Sequence, residues 1–380
     1  MQAKVWNFTK KALSRLDPVL FACTLLLSFI SIITIIGSVE NFGRIKLIMQ
    51  VAMTLAGIFM TVVVANIDYE KFIDKMWLIM LVGSVALLGI TLLFGNSGAA
   101  RDTANKSWLM IPIINISIQP SEFVKITFIC TFSRHLALVR DTINHPKTLL
   151  FLMLHAGSVV GLILISGDLG VALVYISMIA LMLFCNGLSL WYFLGAGALI
   201  TATSPLIWEY LLKEYQRKRI IFGFQPELDP LGGGQQALAS RTVIANGGFF
   251  GRGLFSGGYY EDLSASHTDF IFSTICEKFG YVGGILVMVI FIVMVIRLIS
   301  LALRARKRMG ALICLGIAAI IIVQTLENIG MCLAMLPVVG ITLPFLSCGG
   351  SSMLATFILS GLAHSVSSSD KKYYFERESD

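Results

Sequence analysis

Charge is what this sequence has least of. Asp, Glu, Lys and Arg make up 13% of its 380 residues, while 56% are hydrophobic, and the mean hydropathy is +0.83. A soluble domain carries about 25% charged residues, so a soluble globular fold is excluded. Alternation of apolar and polar residues over about ten positions is also missing, which excludes an outer-membrane barrel. The seven cysteines form no CxxC and no Cys/His pair at ligand spacing, so neither a disulfide framework nor a zinc site is indicated. They read as small core residues. Absence of an internal repeat removes the usual sign of an inverted-repeat transporter.

What is present is a series of unbroken apolar runs about twenty residues long, the length a helix needs to cross a bilayer. The first, from Val19 to about Gly37, is too long for a signal-peptide core and lacks a cleavage site, so it reads as a retained span. Others fall near 46–67, 75–94, 121–138, 147–166, 168–186, 189–212, 270–298, 309–336 and 341–365. The expected fold is an all-α polytopic membrane protein of about ten transmembrane helices, forming one domain over 1–380 with short tails at 1–17 and 366–380. Basic residues fix the expected orientation. Lys4, Lys10, Lys11 and Arg15, Lys71 with Lys75, Arg134 to Lys147, the run from Arg297 to Arg308, and Lys371, Lys372 and Arg377 all fall on one side. The positive-inside rule makes that side the cytoplasm. Both termini are then cytoplasmic, and a large loop at 213–268, between spans seven and eight, is extracytoplasmic.

The polar residues at span ends are the candidates for chemistry. Asp269 follows His267 and Thr268 where the large loop runs into an apolar segment. A carboxylate there is paired, hydrated or used, or it caps a helix starting at Phe270; position alone leaves both readings open. In the first outer loop, Pro120 and Ser121 predict a helix start capped by Ser121, with Glu122 and Lys125 able to pair at i,i+3. Asp168 sits in a tight hairpin, Gly167-Asp168-Leu169-Gly170. Gln324, Glu327 and Asn328 share one helical face, a pattern that more often holds a bundle together than does chemistry, and His155 reads as a satisfied core histidine. The glycine-dense loop lacks the lysine and the strand-to-helix setting of a nucleotide-binding loop. Two prolines and a Gly-Gly pair between Leu336 and Ser352 predict broken helix at membrane depth.

Together these pieces resemble the SEDS family (shape, elongation, division and sporulation) of peptidoglycan polymerases. The matching stretches are Gln119-Pro-Ser-Glu-Phe-Val-Lys125, Asp168-Leu-Gly170, Tyr215-Gln-Arg-Lys-Arg219, Asp229-Pro-Leu-Gly232, His267-Thr-Asp-Phe-Ile-Phe272 and the run from Gly340 to Ser352. They run in family order from the fourth span almost to the end. Asn328-Ile-Gly-Met331 and Leu336-Pro-Val-Val-Gly340 are more similar to the RodA branch than to the FtsW branch. Departures occur at Ser107, at Ser166-Gly167, at Gly233-Gly234-Gln235, at Ser264-Ala265-Ser266 and at Lys278-Phe279, mostly around the outer loops.

The resemblance implies glycosyl transfer on lipid II at the outer face of the cytoplasmic membrane, during elongation and shape maintenance. It implies Asp269 as the base, and Arg217 or Arg219 or a divalent cation (Mg or Mn) facing the departing pyrophosphate. Glu122, Lys125, Asp168 and His267 are expected to line one outward-facing cavity with Asp269. At its usual value near 4, Asp269 needs no upward shift to serve. The implied partner is a class B penicillin-binding protein that crosslinks the strands, and nucleic acid is not implied, since the net charge of +7 gathers at span ends. Two other classes compete: a flippase for lipid-linked precursor, and a non-catalytic scaffold of the wall-synthesis complex.

Overall fold

Ten long helices lie over the ten expected stretches in the computed structural model, which describes residues 14–96, 106–111, 116–212 and 214–377. The tail lysines Lys4, Lys10 and Lys11 fall outside the described residues. We number the helices α1 (Pro18–Ile36), α2 (Arg44–Ala65), α3 (Tyr69–Phe94), α4 (Pro120–Leu138), α5 (Pro146–Ile165), α6 (Leu169–Cys185), α7 (Leu190–Leu206), α8 (Glu214–Phe224), α9 (Gln235–Gly247), α10 (Ile271–Arg304), α11 (Arg308–Cys332) and α12 (Gly350–Arg377). Of these, α8 and α9 are short and belong to the large loop. Among the described residues, seven helices are long and apolar enough to cross a membrane by length and composition: α1, α2, α3, α5, α7 with its extension to Tyr210, α10 and α11. Helix α6 is apolar but shorter. Helices α4 and α12 are more polar, as their buried Glu122, Lys125 and His364 show.

Local chemistry explains the starts of several helices. Pro18, Pro120 and Pro146 each take a first-turn position, where a missing N–H costs nothing. Asp17 and Asp68 cap α1 and α3 by accepting from Leu20 N and Lys71 N. Ser121 does not cap α4 as expected. Gln119 occupies the cap position, without a side-chain bond, and the Ser121 hydroxyl is buried without a partner.

Successive long helices alternate in direction, so the connections preceding α2, α4, α6, α10 and α12 share one end of the bundle. Contacts across the chain agree. At that end Gln119 N donates to Ser351 Oγ, and Lys278 Nζ donates to Gly37 O. At the opposite end Arg297 bonds both Asp17 oxygens, whose own backbone N–H donates to His364 Nδ1. Among the described residues, Arg134, Arg297, Lys307 and Arg308 of the basic clusters lie at that opposite end, bonded to Asp74, Asp17, Glu70 and Asn186. Of the seven apolar spans, α11 is the most enclosed and α7 the least, with no buried residue.

Two boundaries differ from expectation, and both matter for the site. The last long helix begins at Gly350, not near 341, because residues 333–349 run irregularly through Pro337 and Pro344. Helix α10 is broken at Gly280, whose φ of 71° and ψ of −170° suit only glycine. Asp269 therefore stands a half-helix away from the start of the continuous span, not at its mouth.

Candidate active site

The His267-Thr268-Asp269 turn is held by its carbonyls. Thr274 Oγ1 donates to Ser266 O at 3.1 Å, Cys348 N to His267 O at 2.9 Å, Ser347 Oγ to Thr268 O at 2.7 Å and Asn328 Nδ2 to Asp269 O at 2.7 Å. Four consecutive acceptors are thus tied to three different parts of the chain. The same Asn328 amide donates to Ile341 O at 2.7 Å, so it clamps the turn against the irregular segment. Ala265 and Phe345 adopt positive φ (56° and 62°) on either side of this clamp. Such backbone costs of order 1–3 kcal/mol per residue and persists where surrounding structure over-determines it.

The Asp269 carboxylate is left out of this network. The α10 cap position is Phe270, without a side-chain bond, which decides against the capping reading of Asp269. Its Oδ2 faces Gly340 (φ 74°), where a Cβ would stand 3.5 Å away. Burial pushes the Asp269 carboxyl up to about 6, against a smaller opposing effect of the Thr268 hydroxyl. The role that the family resemblance implies for Asp269 does not require this shift. Burial and the Lys46 ammonium push His267 down to about 4, so this imidazole is neutral at pH 7. Its ring packs on Phe42 at 5.3 Å between centroids.

The second acidic group forms around the start of α4. Lys125 Nζ lies 2.8 Å from each oxygen of Glu122, with both side chains almost completely buried. Asp168 accepts from Gln119 Nε2 at 3.0 Å and from Val171 N at 3.2 Å, so it both caps α6 and binds the residue that opens α4. The irregular segment bridges the two groups. A Cβ on Gly170 would stand 3.1 Å from Val339 O and 3.0 Å from Ile341, one residue either side of the Gly340 that faces Asp269. Glu122, Lys125 and Asp168 thus share one end of the bundle with Asp269 and flank the same strip of chain.

The two arginines of α8 differ. Arg217 donates to Leu212 O at 3.0 Å and Glu209 O at 2.9 Å, which commits it to the end of the preceding helix. Arg219 is exposed. It lies one helical turn before Gly223, which packs on Pro337, so its face of α8 points along the irregular segment. Sequence reasoning missed Lys46, which stands near His267, and underrated Asn328, taken as one of three bundle-holding residues. His155, read as a satisfied core histidine, is one: its ring nitrogens meet His135 Nδ1 at 3.1 Å and Thr131 Oγ1 at 3.3 Å.

Comparison with known proteins decides the family. The sequence pattern of the FTSW_RODA_SPOVE family, described as "Cell cycle protein", matches residues 14–372. The chain belongs to that family. FtsW/RodA/SpoVE relatives include the "Probable peptidoglycan glycosyltransferase FtsW" of Trichlorobacter lovleyi, 32% identical over 86% of this chain and 85% of the relative. The "Peptidoglycan glycosyltransferase MrdB" of Escherichia coli is 31% identical over 92% of this chain and 93% of its own length. Identities so close do not separate the branches. Among solved structures, one titled "Structural coordination of polymerization and crosslinking by a peptidoglycan synthase complex" matches with a TM-score of 0.79. It is 25% identical and covers 93% of this chain and 98% of its own. A mostly helical, multi-pass membrane protein of the FtsW/RodA/SpoVE family, with one short two-stranded sheet at Leu109–Ile111 and Ile116–Ile118, is thus established.

No cluster of three or more His, Cys, Asp or Glu at metal-binding spacing exists among the described residues. With Asp168 and Glu122 already bonded, the donor set suits a hard cation only in company with phosphate oxygens of a substrate, the way Mg²⁺ commonly binds.

Proposed function

We propose that this protein is a peptidoglycan glycosyltransferase that polymerises lipid II on the outer face of the cytoplasmic membrane, with Asp269 as its base. The supporting observation is a turn fixed through four backbone carbonyls whose one carboxylate meets the adjacent Thr268 hydroxyl but caps no helix and forms no ion pair. In this reading the Asp269 carboxylate takes the proton of the GlcNAc 4-hydroxyl as that oxygen bonds to the anomeric carbon of the growing chain's MurNAc. The bond from that carbon to the pyrophosphate oxygen breaks on the opposite side, with inversion, and undecaprenyl pyrophosphate departs with the electron pair. A glycosidase also needs an acid, because it expels an alkoxide. Pyrophosphate leaves without prior protonation once its charge is balanced, and Arg219, exposed on α8, and Lys46, near His267, are the cations assigned to it in this reading. A divalent cation, where bound, would supply the same neutralisation.

In this reading the buried Glu122–Lys125 pair and Asp168 shape the wall of this site. The competing flippase and scaffold readings give no role to a fixed turn whose carboxylate neither caps a helix nor forms an ion pair. The Asn328-Ile-Gly-Met331 and Leu336-Pro-Val-Val-Gly340 stretches support a role in elongation, beside a class B penicillin-binding protein that crosslinks the product. Purified protein supplied with lipid II tests the activity: glycan chains are the expected product, and their absence with and without the transpeptidase would reject the enzyme reading.

A further inference from the structure

The break in α10 is repaired by a turn of the large loop that leads away from the acid. Tyr281 N donates to Gly248 O at 2.9 Å and Val282 N to Phe249 O at 3.3 Å. Arg252 N donates to Glu277 O at 2.9 Å and Gly253 N to Lys278 O at 3.2 Å. These four bonds replace those lost at Gly280. Two buried charges fix the far side of the turn. The Glu277 carboxylate accepts from the backbone N–H groups of Gly258, Tyr259 and Tyr260. Lys278 Nζ donates to Leu254 O at 2.8 Å and to Gly37 O at 2.9 Å, over the Tyr260 ring.

So firmly held a frame presents three bare phenyl rings: Phe249, Phe250 and Phe255 are 61%, 80% and 79% exposed. Solvated turns do not keep such rings in water at a fixed height without cause. The height is informative. The turn bonds α10 at Tyr281 and Val282, where the helix's exposed apolar row begins and continues through Ile285, Val289 and Ile292. In a membrane-crossing helix lipid covers that row, and aromatic residues concentrate at its edge. Arg252 is exposed, with its guanidinium stacked on Tyr259 at 4.8 Å and held by Asn246 O and Oδ1, so it keeps a cation beside the rings with donors still facing solvent, and 249–258 contains no acid.

We propose that this turn is a membrane-interface foot. Phe249, Phe250 and Phe255 enter the headgroup–acyl boundary of the leaflet on the site side, and Arg252 meets lipid phosphate. The foot holds the half-helix Ile271–Phe279 at a fixed depth. Granting the activity proposed above, it sets the height of Asp269 relative to the plane in which a lipid-linked pyrophosphate lies.

A depth measurement tests this without any turnover. No native cysteine is fully exposed, so a spin label on Phe250→Cys, in vesicles of phosphatidylethanolamine and phosphatidylglycerol, reports one site. Leu231→Cys, 88% exposed in the same loop, serves as the aqueous reference. Relaxation of the label by oxygen is expected to exceed relaxation by a water-soluble nickel chelate at position 250, with the reverse at 231. A second label, on Phe255→Cys, should follow position 250. Nickel-dominated relaxation at 250 and 255 would overturn the foot. So would lipid-independent signals that become immobilised only when a transpeptidase is added, since the patch would then be a protein contact.

Discussion

Two acidic places at one end of the bundle treat a buried carboxylate in opposite ways. At Asp269 the backbone is bonded at every carbonyl from Ser266 to Asp269, and the side chain meets only the hydroxyl of the adjacent Thr268, with no cap and no ion pair. At Glu122 and Asp168 the carboxylates themselves are the bonded groups, to Lys125, Gln119 and Val171 N. The difference separates a group placed to react from groups placed to hold. Burial raises Asp168 as well as Asp269, but at Asp168 bonds from Val171 N and Gln119 oppose it, whereas at Asp269 only the Thr268 hydroxyl does.

The largest effect should come from Asp269. Asp269→Asn is expected to lower polymerisation by about a hundredfold to ten-thousandfold. Because Asp269 does not cap α10, its melting temperature should hardly change. Chain formation from lipid II and thermal unfolding, measured together, check both halves; near-normal turnover in the Asn form would remove Asp269 from the chemistry.

Breaking the bonded pair should act on stability first. Glu122→Gln or Lys125→Met leaves one charge buried and alone, at a cost of about 3–5 kcal/mol, while the double variant should recover part of the loss. A double-mutant cycle on unfolding reads this, and strictly additive losses would mean that the pair is not coupled.

Acid should also tell the two places apart. With Asp269 raised to about 6, the base is charged above that pH and protonated below it. The rate is therefore expected to fall as pH drops through about 6, and a rate still flat at pH 5 would contradict the assignment. The smallest effect concerns Glu327, whose two oxygens are buried without partners. Glu327→Gln is expected to stabilise the fold by about 1–3 kcal/mol with polymerisation unchanged. Lost activity in a well-folded Gln form would bring Glu327 into the reactive set.

Local spacing made part of this site legible in the sequence. The i,i+3 step from Glu122 to Lys125 and the Gly167-Asp168 hairpin are short-range features, and both took the form their residues suggest. The apolar runs located the ten long helices, though prolines at 337 and 344 moved the start of the last one. What could not be read is what depends on distant chain meeting. Asn328 looks like its neighbours Gln324 and Glu327 along α11, yet it alone clamps Asp269 O to Ile341 O, while the Glu327 carboxylate bonds to nothing. Lys278 gives no sign that its ammonium will reach Gly37, 241 positions away. The capping ambiguity at Asp269 also needed coordinates, because a cap differs from an acid that caps nothing only by a turn of backbone.

The break at Gly280 has a mechanical consequence. An unbroken α10 of 34 residues would be a rod about 51 Å long, and any tilt imposed in the bilayer would be delivered, magnified, to its tip beside Asp269. With the rod jointed and the joint strapped from the side, sway of the membrane-crossing part stops at the strap. The acid then rides on a stub of about two and a half turns gripped at both ends, shielded from leverage by the rest of its own helix.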